Sequence, residues 1–78
     1  MRITMRQGLY RETIAGAVWL LLRLRGCMPP GEILEELHQL GLDTSRSTLH
    51  RVLREYSGRL FERTRNAGRI LYCAVEEV

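Results

Sequence analysis

The stretch from Thr44 to Tyr56, TSRSTLHRVLREY, decides how the chain reads. Leu49, Val52, Leu53 and Tyr56 fall at i, i+3, i+4 and i+7, one apolar stripe of a helix, and Asp43, Thr44 or Ser45 supplies a side chain able to cap its first amides. At about 100° per residue, Ser47, His50, Arg51 and Arg54 stand on the side away from that stripe. Glu55 lies on the shoulder of this surface, four residues after Arg51, and no acid is centred among the cations. A helix that groups its cations in this way holds them toward something outside its own core.

Reading outward from this helix, the punctuation is clear on both sides. Upstream, Pro30 can begin a helix, and Ile33, Leu34, Leu37 and Leu40 recur at helical spacing until Gly41 stops the run. Before it, strong helix formers run from about Leu9 to Arg25 and end at Gly26 and Pro29-Pro30. Downstream, Ser57-Gly58 closes the cationic helix. Leu60 to Thr64 and Arg69 to Val75, rich in aromatic and branched residues, then flank the turn-forming set Arg65-Asn66-Ala67-Gly68. These read as a β-hairpin. Which of Leu60 or Phe61, and of Ile70 or Leu71, faces inward stays open at this level.

Seventy-eight residues make one domain, residues 1 to 78, close to the smallest size at which an apolar core holds a fold without metals or staples. The net charge of +3 is segregated. Residues 1–28 carry five Arg and one Glu, 29–42 three Glu, 43–70 seven Arg against Asp43, Glu55 and Glu62, and 71–78 two Glu. Basic segments alternate with acidic ones, and that pattern points to a polyanionic partner. The longest apolar run, Ala17 to Leu22, is far shorter than the roughly 20 residues that span a bilayer, and arginines break the first twelve residues where a secretory leader would be apolar. The expectation is a cytoplasmic protein with no membrane span.

The order helix, helix, helix, hairpin is that of a winged helix-turn-helix, mainly α with a wing sheet of two or three strands, the segment after the first helix being the candidate third strand. Residues 41–53, GLDTSRSTLHRVL, resemble the second half of the helix-turn-helix of IclR-type and related prokaryotic regulators. Their core reads roughly Gly-Leu-x-(Lys/Arg)-Ser-Thr-(Val/Leu)-His-Arg-(Leu/Val)-Leu. Gly41, Leu42, Arg46, Ser47, Thr48, Leu49, His50, Arg51, Val52 and Leu53 match it. Asp43-Thr44-Ser45 stands where that pattern has one residue, so the turn is two residues longer.

The resemblance implies sequence-specific binding of double-stranded DNA by a small prokaryotic or phage transcriptional regulator. It places Thr44, Ser45, Arg46, Ser47, His50, Arg51 and Arg54 at the major groove, where Arg makes bidentate contacts with guanine and Ser or Thr bonds base or phosphate. Arg63, Arg65, Asn66 and Arg69, on or beside the turn, would lie on the backbone or in the minor groove. Glu32, Glu35 and Glu36 argue against close approach of the second helix to phosphate. The alternative is a winged-helix adaptor whose basic face and Trp19 grip an acidic protein partner.

The first helix is apolar on nearly every side. Its core face is expected to run through Tyr10, Ile14, Ala17, Val18, Leu21 and Leu24, leaving Trp19 and Leu22 on another side beside the small Ala15 and Gly16. Either a second copy pairs there, giving a homodimer through Ala15, Gly16, Trp19 and Leu22, or Met1 to Met5 folds back over Trp19.

No phosphate loop, no His paired with a nucleophile and no carboxylate cluster is present, so no enzyme activity, cofactor or metal is expected. Cys27 and Cys73 lack metal-ligand spacing. In a winged helix the segment after the first helix runs beside the last strand, which can bring them within about 5.5 Å between Cα atoms. In a reducing cytosol free thiols are nonetheless expected.

Overall fold

A computed structural model of the chain describes residues 7–75, with side-chain surroundings from residue 11 onward. Helices α1 (Gln7–Arg25), α2 (Pro30–Gln39) and α3 (Arg46–Glu55) precede strands β1 (Phe61–Asn66) and β2 (Arg69–Ala74), which form an antiparallel hairpin. This is the element order that the sequence predicts.

Local chemistry sets each boundary. Pro29, extended, and Pro30 at the first helical position open α2, because neither lost N–H had an intrahelical partner. At its end Gly41 adopts φ +85°, and the amides of Gly41 and Leu42 bond back to the carbonyls of His38 and Leu37 at 3.0 and 2.9 Å. This crossed pair needs a left-handed residue between its two bonds, which glycine supplies without steric cost. Of the three cap candidates for α3, Ser45 takes the role: its hydroxyl oxygen accepts from the Thr48 amide at 3.1 Å. The hydroxyl also donates to Thr48 Oγ1 at 2.9 Å.

The three helices close on one core. Ile14, Val18, Leu21 and Leu22 from α1, Ile33 and Leu37 from α2, and Leu49, Val52 and Leu53 from α3 are all buried. So is Phe61 at the root of β1, which answers the open facing question in favour of Phe61 over Leu60. On the partner strand Leu71 is half-buried and Ile70 exposed.

α1 sits rotated about its axis from the expected orientation. Ala15 and Leu22 face the core, whereas Leu24, assigned to it, is 84% exposed, and Leu20 is 57% exposed. Apolar residues on nearly every side give the sequence no polar face by which to orient the helix. Packing against both α3 and β2 fixes it instead.

The hairpin pairs Phe61 with Ala74, Arg63 with Tyr72 and Arg65 with Ile70 on one face, and Glu62 with Cys73, Thr64 with Leu71 and Asn66 with Arg69 on the other. Its turn has two residues, both left-handed: Ala67 at φ 54° and Gly68 at φ 81°. A right-twisted hairpin requires this turn, and alanine adopts it at a steric cost of roughly 1 kcal/mol.

The segment after α1 contributes one rung. Met28 and Tyr72 exchange both backbone hydrogen bonds, at 2.9 and 2.8 Å, antiparallel to β2. One step along, Cys27 and Cys73 are joined as a disulfide with their Cα atoms 4.3 Å apart. The expectation of free thiols is therefore overturned. Next to a hydrogen-bonded pair, the following pair in an antiparallel ladder brings its Cα atoms closest, and the Met28 rung puts the cysteines at that position.

Candidate nucleic-acid interface

α3 presents Arg46, Ser47, His50, Arg51 and Arg54 to solvent, all exposed, because Leu49, Val52 and Leu53 anchor the opposite side of the helix in the core. Ser45 stands at the helix entrance with its hydroxyl engaged in the cap. Thr44 was expected on the contact surface, but only 2% of it is exposed. The turn between α2 and α3 draws it inward, and the His38 ring donates from Nε2 to its carbonyl at 2.8 Å. A buried Thr44 side chain cannot touch a macromolecular ligand.

The hairpin supplies the second wall. Arg63, Arg65, Asn66 and Arg69 are all exposed. They divide between the two faces, and the division follows from the pleat. Phe61 fixes one face on the core, so Arg63 and Arg65, two and four residues on, continue that face beyond the core edge, and Arg63 stands opposite His50 and Arg54 of α3. Asn66 and Arg69 belong to the other face, and Arg69 lies 4.0 Å from Glu32 of α2. That exposed pair holds the guanidinium only loosely.

Between α3 and the hairpin runs a groove of about 400 Å³. His50, Arg54 and Ser57 line one side, Arg63 the other, with Leu53, Ile70, Tyr72 and Pro30 completing it. No acid lines it. The nearby carboxylates point elsewhere: Glu55 is 3.8 Å from Arg11 of α1, Glu36 is 3.1 Å from Arg25, and Glu62 is on the far face of β1. Two guanidiniums and an imidazole thus border one trough with an apolar floor. Such a trough attracts an anionic ligand and gives a flat apolar group a surface to rest on.

The cations are legible in the sequence, but Pro30, Ile70 and Tyr72 as their common floor are not. Tyr72 was readable only through the register, since it pairs with Arg63 across the hairpin.

Two of the four residues expected to pair two copies are used within one chain. Ala15 and Leu22 are 1% and 2% exposed, packed in the core, so neither can form a subunit interface. Trp19 is half-buried against the same core, its Nε1 donates to the Val75 carbonyl at 3.1 Å, and Arg23 lies over its ring at 5.4 Å. Only Gly16 of the four is exposed. The other covering expected for Trp19, by Met1 to Met5, lies outside the described residues.

Among the described residues no group of three or more His, Cys, Asp or Glu could hold a metal ion, and no helix is long and apolar enough to cross a membrane. No family model, curated protein or solved structure matches the chain.

Proposed function

We propose that the chain is a winged helix-turn-helix protein that binds double-stranded DNA in a sequence-specific way, as a small cytoplasmic transcriptional regulator of the kind its helix-turn-helix segment resembles. The observation that carries this reading is the acid-free groove in which His50 and Arg54 of α3 face Arg63 of the hairpin. In this reading α3, ten residues and about 15 Å long, enters a major groove about 12 Å wide. Ser47, Arg51 and Arg54 reach base edges, and Arg46 at the helix entrance reaches a phosphate. The strand of backbone that borders the groove then passes between α3 and the hairpin, where Arg63 meets it and Arg65 continues along it. Glu32, Glu35 and Glu36 lie on α2, so that helix stays off the phosphates.

Selection of bound sequences from a random duplex library, followed by titration of the winning site, tests the proposal. Arg51→Ala and Arg54→Ala are each expected to weaken the selected site by about 1 to 3 kcal/mol while changing random duplex much less. Equal losses on every sequence would remove base reading, and a library that yields no enriched site would leave the protein-adaptor reading in its place.

A further inference from the structure

Neither Cys27 nor Cys73 belongs to the buried core, which is complete without them. Cys27 is exposed and Cys73 half-buried, and a recess of about 170 Å³ bordered by Leu22, Arg23, Gly26 and Ala74 opens on the pair. The bond is therefore at the surface, where a small molecule reaches it. It also occupies a mechanical position. Cys73 lies in β2, paired with Glu62 of β1 on one side and joined to Cys27 on the other. The disulfide thus ties the root of the hairpin to the end of α1 and the start of α2.

From these observations we infer that Cys27–Cys73 is a thiol–disulfide exchange site for a small thiol reductant, and that its state sets how firmly the hairpin is held. A thiolate of the reductant attacks one sulfur, the S–S bond breaks, and the other cysteine leaves as a thiolate that takes up a proton. A second reductant thiol attacks the mixed disulfide and releases the remaining cysteine. Two electrons pass to the protein, which gains two thiols, and the reductant leaves as its own disulfide. Oxidation by a disulfide of the same class reverses the sequence.

What remains after reduction is the Met28–Tyr72 rung, the buried Phe61, the bond from the Val75 amide to the Leu60 carbonyl at 2.8 Å, and the Trp19–Val75 bond. These suffice to keep the hairpin present but not to hold it rigidly, since one rung of two hydrogen bonds is all the ladder the segment after α1 makes. The helical core does not depend on the bond. Under the DNA reading above, on which this last step rests, the reduced protein loses the fixed spacing between Arg63 and Arg54 and binds its site more weakly.

The chain has one tryptophan, and it is hydrogen-bonded to Val75, the residue that follows β2, so its fluorescence reports the base of the hairpin without DNA. Titration of the native protein with dithiothreitol is expected to raise the thiol count from zero to two per chain and leave helical circular dichroism unchanged. Trp19 emission should move to longer wavelength, and the Met28 and Tyr72 amides should exchange at least ten-fold faster. Glutathione disulfide should restore the starting values. Cys27→Ser/Cys73→Ser, measured alongside, should match the reduced protein. DNA affinity, measured separately on the selected site, should fall several-fold on reduction and recover on oxidation. The inference is overturned if native protein resists the reductant, if reduction unfolds the helices, or if Trp19 and both amides do not respond. Failure to bind DNA in either state, with the Trp19 and exchange responses intact, would count against the DNA reading and not against the exchange site.

Discussion

The indole Nε1 of Trp19 donates to the carbonyl of Val75 at 3.1 Å, joining the middle of α1 to the end of the hairpin across 56 positions of chain. Trp19 is thus part of its own subunit's closure. Trp19→Phe, which keeps the ring and removes the N–H, is expected to cost about 1 kcal/mol in urea unfolding. Trp19→Ala should cost roughly 2 to 3 kcal/mol, less than a fully buried indole because the ring is half-exposed. A variant that keeps full stability but changes its sedimentation would instead return Trp19 to a subunit interface.

Ala67 carries the cost of a left-handed conformation at the hairpin turn. Asparagine tolerates that region and, followed by Gly68, gives the favoured pair for this turn, so Ala67→Asn should stabilise the protein by about 0.5 to 1 kcal/mol. Ala67→Val, branched at Cβ, should destabilise it by at least as much. Equal midpoints for all three proteins would show that the turn does not hold this geometry in solution.

Ser45 was a candidate contact residue, yet its hydroxyl caps α3. Ser45→Ala should lower stability by about 1 kcal/mol, and Ser45→Gly by less. Sequence preference should be unaffected in both once measured below the unfolding transition. A change in the preferred site at unchanged stability would make Ser45 a reader rather than a cap.

Glu32 stands 4.0 Å from Arg69 and competes with phosphate for it. Glu32→Gln should therefore strengthen binding to any duplex and steepen its salt dependence, while Arg69→Ala should weaken binding and flatten it. The effect is expected to be largest at low ionic strength. Opposite signs for the pair of variants are the readout, and identical salt slopes would place Arg69 away from the ligand.

Arg65 lies beyond the core on the same face as Arg63 and has no ion-pair partner among the described residues. Arg65→Ala should reduce affinity for all duplexes alike and lower the log-log salt slope by roughly one unit. Loss confined to one sequence would move Arg65 from backbone contact to minor-groove reading.

How legible each feature was depends on what else could satisfy the same residues. α3 was readable because Leu49, Val52 and Leu53 leave one orientation, with His50, Arg51 and Arg54 outside. α1 was not, because Leu20, Leu21, Leu22 and Leu24 are chemically equivalent and only tertiary packing decides which two are buried. Thr44 misled for a related reason: a short polar residue in a turn carries no sign of facing inward. The approach of Cys27 to Cys73 could be anticipated from the fold, but their oxidation state could not, since it follows from the local ladder geometry and the surrounding redox conditions rather than from spacing in the chain. The left-handed Ala67 leaves no trace in its residue type.

The firmest ties on the hairpin lie toward its root, where Phe61 is buried, Cys73 is bonded to Cys27 and Met28 pairs with Tyr72, while Arg65 and Ala67 project past the last buried side chain. It therefore behaves as a cantilever. A small rotation at the clamp becomes a larger sweep at the tip, and Arg63 and Arg65 travel together because they share a face. Residues near the root thereby govern the reach of the cationic arm without touching what the arm touches.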